Sequence, residues 1–183
     1  MKAPDRDKRK GLLACYTGDG KGKSTAAFGS ILRAVGYGWK VCVIQFIKGS
    51  WKYGEMEGIE QLRPKVEFYR KGLGFYKIVD DKLPEEDHKK AAAEAIKFSA
   101  EKITSGEFDL IILDELNVSL QTELISVEDA VDLLKKKPDW LHLIITGRGA
   151  PKEIIELCDL VTEMKEVKHP YQKGILAQKG FDY

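Results

Sequence analysis

Short apolar runs alternate along this chain with longer segments whose apolar residues recur every three or four positions. Gly11–Thr17 (GLLACYT), Lys40–Ile47 (KVCVIQFI), Phe108–Leu113 (FDLIIL) and Trp140–Thr146 (WLHLIIT) predict buried strands. Val66–Arg70 and Leu160–Met164 predict two further, shorter ones. Between them, Lys23–Val35 carries Ala26, Ala27, Ile31, Ala34 and Val35 at helical spacing and is followed by Gly36 and Gly38, residues suited to a helix end. Pro84–Thr104 predicts the longest helix. Its first turn holds Pro84, Glu85, Glu86 and Asp87, which suit the positive end of the helix dipole. Ala92, Ala95, Ile96, Ser99 and Ile103 share one of its faces. Val127–Lys136 and Lys152–Cys158 predict two more helices; Lys48–Gly58 and Gly72–Tyr76 read as loops, and residues 165–183 show little periodicity. Strands that alternate with helices and lack polar alternation predict an α/β fold, a parallel sheet covered on both faces.

The length, 183 residues, suits one domain rather than two. Lys and Arg number 30 against 29 Asp and Glu, a net charge of +1, so bulk charge does not draw this chain to nucleic acid or to an anionic membrane. No apolar run approaches the roughly 20 residues of a membrane span. Residues 1–10 hold five basic and two acidic side chains and read as a flexible or loosely docked basic arm before a domain at 11–183. No signal-type apolar stretch follows them, which makes the cytoplasm the expected compartment. Cys15, Cys42 and Cys158 are odd in number and far apart, a poor basis for a disulfide framework or a zinc site. His88, beside charged residues, reads as solvated; His142, within an apolar strand, reads as buried; His169 reads as a packing residue.

The candidate chemistry begins directly after the first strand, with Gly18, Asp19, Gly20, Lys21, Gly22, Lys23, Ser24 and Thr25. A glycine-rich loop between strand and helix brings backbone N–H groups close to an anion, and the helix start adds its positive end. Lys23 supplies a charge for phosphates and Ser24 a hydroxyl for Mg²⁺. The common spacing G-x-x-x-x-G-K-[ST] is not met, since Thr17 holds the first-glycine position. A glycine-rich turn without ligand is the other reading. The second signal is Leu110–Leu116 (LIILDEL), an apolar strand with Asp114 and Glu115 at its C-terminal edge, where α/β sheets bind ligands. Adjacent strand residues point oppositely, so one of the two acids faces a metal directly. Alone, the pair reads equally well as solvated acids.

Together these segments resemble the P-loop corrinoid adenosyltransferases, the cob(I)alamin adenosyltransferases of cobalamin synthesis and salvage. The likeness runs through Thr17–Gly29 (TGDGKGKSTAAFG), Val43–Trp51 (VIQFIKGSW) with Gly54 and Glu55, Leu113–Leu116 (LDEL) and Ile144–Gly149 (IITGRG). It continues through Val167–His169, Ala177–Gln178 and Gly180–Tyr183, and so spans about residues 11–183. The phosphate loop, one residue short if Gly18 takes the part of the first glycine, is itself what this family looks like.

The resemblance implies a three-layer RecA-like P-loop fold with a mostly parallel six-stranded sheet. It implies transfer of the 5′-deoxyadenosyl group of ATP to the Co(I) of a reduced corrinoid, cobalamin or an a,c-diamide precursor, with release of triphosphate. The cobalt is the nucleophile, so the protein positions the substrates and stabilises the leaving group. Lys23 and Lys21 would take up triphosphate charge, and Ser24 with Glu115 or Asp114 would hold Mg²⁺. Leu73 and Phe75 stand where the family often has a Phe and a Trp that close the lower corrinoid face, and Trp51 and Glu55 stand in a loop that helps line the site. A homodimer and a partner reductase supplying Co(I) are also implied. The rival readings are a P-loop ATPase or kinase, in which Arg148 could sense a phosphate, and a RecA-like nucleic-acid-binding module, against which the near-zero charge argues.

Overall fold

The computed structural model describes residues 6–47, 53–74, 76 and 83–182. In chain order the elements are β1 (Leu13–Thr17), α1 (Lys23–Gly36), β2 (Val41–Gln45), α2 (Gly54–Glu60), β3 (Val66–Arg70) and α3 (Glu85–Thr104). There follow β4 (Leu110–Asp114), α4 (Leu116–Gln121), α5 (Val127–Lys135), β5 (His142–Thr146), α6 (Lys152–Leu157) and β6 (Leu160–Glu163). The six strands form one sheet in the order β3-β2-β4-β5-β1-β6. Among the described residues every pairing is parallel, so the sheet is wholly rather than mostly parallel there.

The continuous apolar runs are explained by burial on two sides. Every residue of β2 and β4 is buried. Alternate residues serve opposite cores: Cys42, Ile44, Ile111 and Leu113 join Ala95, Ile103, Leu133 and Ile154 of α3, α5 and α6. Val41, Val43, Leu110 and Ile112 join Ala27 and Ile31 of α1 and Ile59 of α2. This is the three-layer arrangement that apolar strands require when neither face is left to water.

Two expectations are corrected, and for the basic arm the structure shows the docked alternative. The predicted loop over 48–58 contains the start of α2; Gly54 and Gly58 are poor helix formers, but Ile59 is buried in the α1-side core and anchors the helix there. His88 is 4% exposed, not solvated, because it falls on the face of α3 that carries Ala91, Ala92 and Ala95, and its ring lies 5.1 Å from that of Tyr76. The basic arm is docked from Arg6 onward. Arg6 Nε and Arg9 Nη2 each donate to Asp109 Oδ1 at 2.9 Å, while their guanidinium groups lie over the rings of Trp140 and Trp39, each 4.4 Å from the centroid. The element α4, unpredicted, follows β4 without a connecting loop because Glu115 turns the chain in the left-handed region, φ 63°.

Candidate active site

Because the strands are parallel, the segments leaving their C-terminal ends gather along one edge. The glycine loop leaves β1 there. The turn Gly147–Arg148–Gly149 leaves β5 on one side of it, and Met164 follows β6 on the other. Helix α1 opens at Gly22 with no side-chain cap and no acid in its first turn, so its N-terminal N–H groups and the positive dipole end remain available to an anion. Lys23 folds back, its Nζ donating to the Gly20 carbonyl at 2.7 Å. Burial lowers the pKa of its ammonium, and Arg148 pushes the same way, against Glu115, Asp19 and Glu166, which favour the charge.

The glycines do not all serve the ligand. Gly20 N–H is already donated to the Met164 carbonyl at 2.7 Å. A Cβ on Gly18 or Gly20 would stand 2.5 or 2.7 Å from that same oxygen. Glycine is therefore required at both positions by the segment after β6, whatever binds in the loop. Lys21 is also engaged: its Nζ meets Asp182 Oδ1 at 2.7 Å, and the ring of Phe181 lies 6.0 Å from it. Of the two lysines expected to face phosphate, Lys23 is at the loop's heart, while Lys21 holds the C-terminal segment.

The paired acids separate because Asp114 ends β4 while Glu115 lies just beyond the strand, in a left-handed turn. Asp114 is fully buried, accepting from Thr146 Oγ1 at 2.7 Å and from Gln45 Nε2 at 2.8 Å. Glu115 is half-buried, acts electrostatically on Lys23, and has its N–H held by Thr146 Oγ1 at 3.0 Å. A left-handed conformation at a non-glycine residue costs on the order of 1 kcal/mol or more and persists where surroundings enforce it. Here it directs Glu115 to the loop side. Thr146 bonds to both acids and is a positioning residue that sequence reading missed; its place at the end of β5 was the available signal. Ser24 lies half-buried in the first turn of α1, and Asp19 and Thr25 are exposed. A hydroxyl and a carboxylate are hard oxygen donors of the kind Mg²⁺ takes, and among the described residues no cluster of three His, Cys, Asp or Glu side chains forms a fuller cage.

The expected corrinoid residues are only partly placed. Trp51 and Phe75 lie outside the described residues. Leu73 is exposed, and Glu55 lines a cavity of about 490 Å³ between α1 and α2, beside Thr25, Phe28 and Phe181. Leu73 is not part of that wall, so the structure does not bring the two together there. Glu55 Oε2 is buried without a hydrogen-bond partner among the described residues.

The remaining histidines and cysteines are occupied elsewhere. His142 is half-buried, accepts from Leu12 N–H at 3.2 Å and stacks on Trp39. His169 accepts from Tyr171 N–H at 3.2 Å. Cys42 is pushed up to about 12 by burial, and Cys15 Sγ accepts from Asn117 Nδ2 at 3.4 Å.

The parallel sheet carries helices on both faces, an α/β fold in which a cationic loop and an acid meet at the C-terminal edge. Residues 9–183 match the family described as ATP:corrinoid adenosyltransferase BtuR/CobO/CobP, and the chain belongs to that family. It is 42% identical to a corrinoid adenosyltransferase of Sinorhizobium sp, over 95% of this chain and 81% of that one. A corrinoid adenosyltransferase of Escherichia coli K12 is 39% identical over 95% of this chain and 86% of its own. One from Pseudomonas aeruginosa is 39% identical over 99% and 87%.

Proposed function

We propose that this protein transfers the 5′-deoxyadenosyl group of ATP to the Co(I) of a reduced corrinoid, releasing triphosphate. Membership of the adenosyltransferase family across residues 9–183 carries this reading. The edge geometry supports it, because the groups gathered there suit an anionic leaving group. Co(I) of the substrate attacks ribose C5′; the Co–C bond forms as the C5′–O bond breaks, and its electron pair departs with the triphosphate. Lys23 and the uncapped N–H groups of α1 meet the charge that develops on the leaving oxygens. Ser24 and Glu115 would hold Mg²⁺, which supplies further positive charge to the phosphates; Asp114 and Thr146 fix the strand end that presents Glu115.

The apolar cavity beside Glu55 is offered as part of the corrinoid side, with Leu73, Phe75 and Trp51 near it in the chain. We further place the protein in the cytoplasm, as a single P-loop domain over 11–183 that works as a homodimer with a reductase that supplies Co(I). Among the described residues no helix is long and apolar enough to cross a membrane. The test is incubation with ATP, Mg²⁺ and chemically reduced cobalamin, with optical detection of the Co–C bond and analysis of the phosphate product. Triphosphate in step with Co–C formation is expected. ADP and phosphate without adenosylcorrinoid would replace this reading with a P-loop ATPase or kinase.

A further inference from the structure

Three of the cations around the loop, Lys21, Lys23 and Arg148, are not equivalent. Lys21 is taken by Asp182 at 2.7 Å. Lys23 spends one of its donors on the Gly20 carbonyl. Arg148 is exposed, and among the described residues no carboxylate pairs with it.

Its backbone, by contrast, is closely fixed. Gly147 N–H donates to the Tyr16 carbonyl at 3.2 Å, and Ala150 N–H donates to Thr17 Oγ1, also at 3.2 Å. Both bonds tie the turn to the residues from which the glycine loop springs. On its other side the turn is wedged against α4. A Cβ on Gly147, which has φ 131°, would stand 2.8 Å from Val118 N, and one on Gly149, φ 64°, would stand 3.1 Å from the Gln121 side chain. Arg148 is thus a guanidinium on a rigid turn between the phosphate loop and the strand end that carries Glu115.

We propose that Arg148 binds the triphosphate of ATP, as the second cation of the site alongside Lys23, in the part that the sequence suggests for Lys21. This rests on the adenosyl-transfer reading for the identity of the anion. A guanidinium donates in a planar fork that matches two phosphate oxygens, which an ammonium cannot reproduce. Two neighbouring cations that repel one another gain most when an anion settles between them, and burial of Lys23 sharpens that need.

The experiment measures binding of Mg²⁺-tripolyphosphate to the full chain by calorimetry, together with steady-state adenosyl transfer to chemically reduced cobalamin. Arg148→Ala should weaken tripolyphosphate binding by about tenfold or more. Arg148→Lys should recover only part of it, and the thermal midpoint of both should match the wild type. Lys90→Ala, which removes an exposed charge from α3, measures the effect of net charge alone and should change binding little. Wild-type tripolyphosphate affinity in Arg148→Ala, full recovery in Arg148→Lys, or a greater loss in Lys21→Ala than in Arg148→Ala would each overturn the assignment. If the wild type binds tripolyphosphate through Arg148 but forms no Co–C bond, the adenosyl-transfer reading falls and the anion site stands. If it forms the bond and Arg148→Ala does so equally well, only the Arg148 assignment falls.

Discussion

The two ends of the parallel sheet each hold a cluster of charges, and the clusters are built on opposite principles. At the N-terminal end Asp109 is 4% exposed and fully engaged: Arg6 and Arg9 share one oxygen, and Lys40 N–H donates to the other at 3.0 Å. The two guanidinium groups lie over Trp140 and Trp39, which cover one face of each, although Arg9 Nη1 is buried without a hydrogen-bond partner among the described residues. At the C-terminal end Lys23 leans on a carbonyl, Arg148 projects to solvent and Glu115 sits in a strained backbone conformation. A closed cluster holds the fold together; an open one has capacity left for a ligand. Nearly the same residue types give stability at one edge and a candidate site at the other, and the difference lies in what completes their hydrogen bonds.

That contrast breaks if the two ends respond alike to mutation. The largest effect should come from Lys23→Ala, at least a hundredfold loss of adenosyl transfer, or about 3 kcal/mol of transition-state stabilisation, with an unchanged thermal midpoint. Asp109→Ala should do the reverse. It leaves two partly buried guanidinium groups without their carboxylate, at a cost of about 3 kcal/mol in urea unfolding, while turnover per folded molecule is retained. Loss of turnover in the folded Asp109 variant would abolish the distinction between the ends.

The comparison sharpens within the open end. Glu115→Gln should raise the Mg²⁺ concentration needed for half-maximal activity by more than Asp114→Asn does, since Asp114 is tied to Thr146 and Gln45 inside the sheet. Asp114→Asn should instead lower the thermal midpoint. Equal Mg²⁺ titrations for the two variants would remove Glu115 from the metal. The smallest effect concerns pH. The Asp109 carboxyl is held below its ordinary value by the Lys40 N–H and by Arg6 and Arg9, which outweigh its burial. A depressed carboxylate adds stability above its unfolded pKa, roughly 4, and loses it as pH falls through the folded value. Stability of the wild type should therefore fall more steeply below about pH 4 than that of Asp109→Asn, as read by urea midpoints across that range.

What the sequence revealed follows from how local each determinant is. Strands buried on both faces are apolar at every position, so β2, β4 and β5 stand out without any alternation, and Val66–Arg70 is a strand over its full expected length. The glycine loop and the Asp114–Glu115 edge were legible because their chemistry is contiguous. The burial of His88 was also written in the chain, at helical spacing from Ala91, Ala92 and Ala95, but the charges around it masked the stripe. Helix α2 was hidden by its two glycines. Lys21 and Asp182, or Gly20 and Met164, are partners separated by most of the chain, and no local pattern announces them.

The hold of Met164 on the glycine loop has a consequence for the order in which the protein is made. A ribosome releases residues 17–23 long before it reaches β6, so the loop leaves the tunnel lacking the carbonyl that Gly20 will bond and the carboxylate that Lys21 will meet. It acquires its shape only when the later residues return to it.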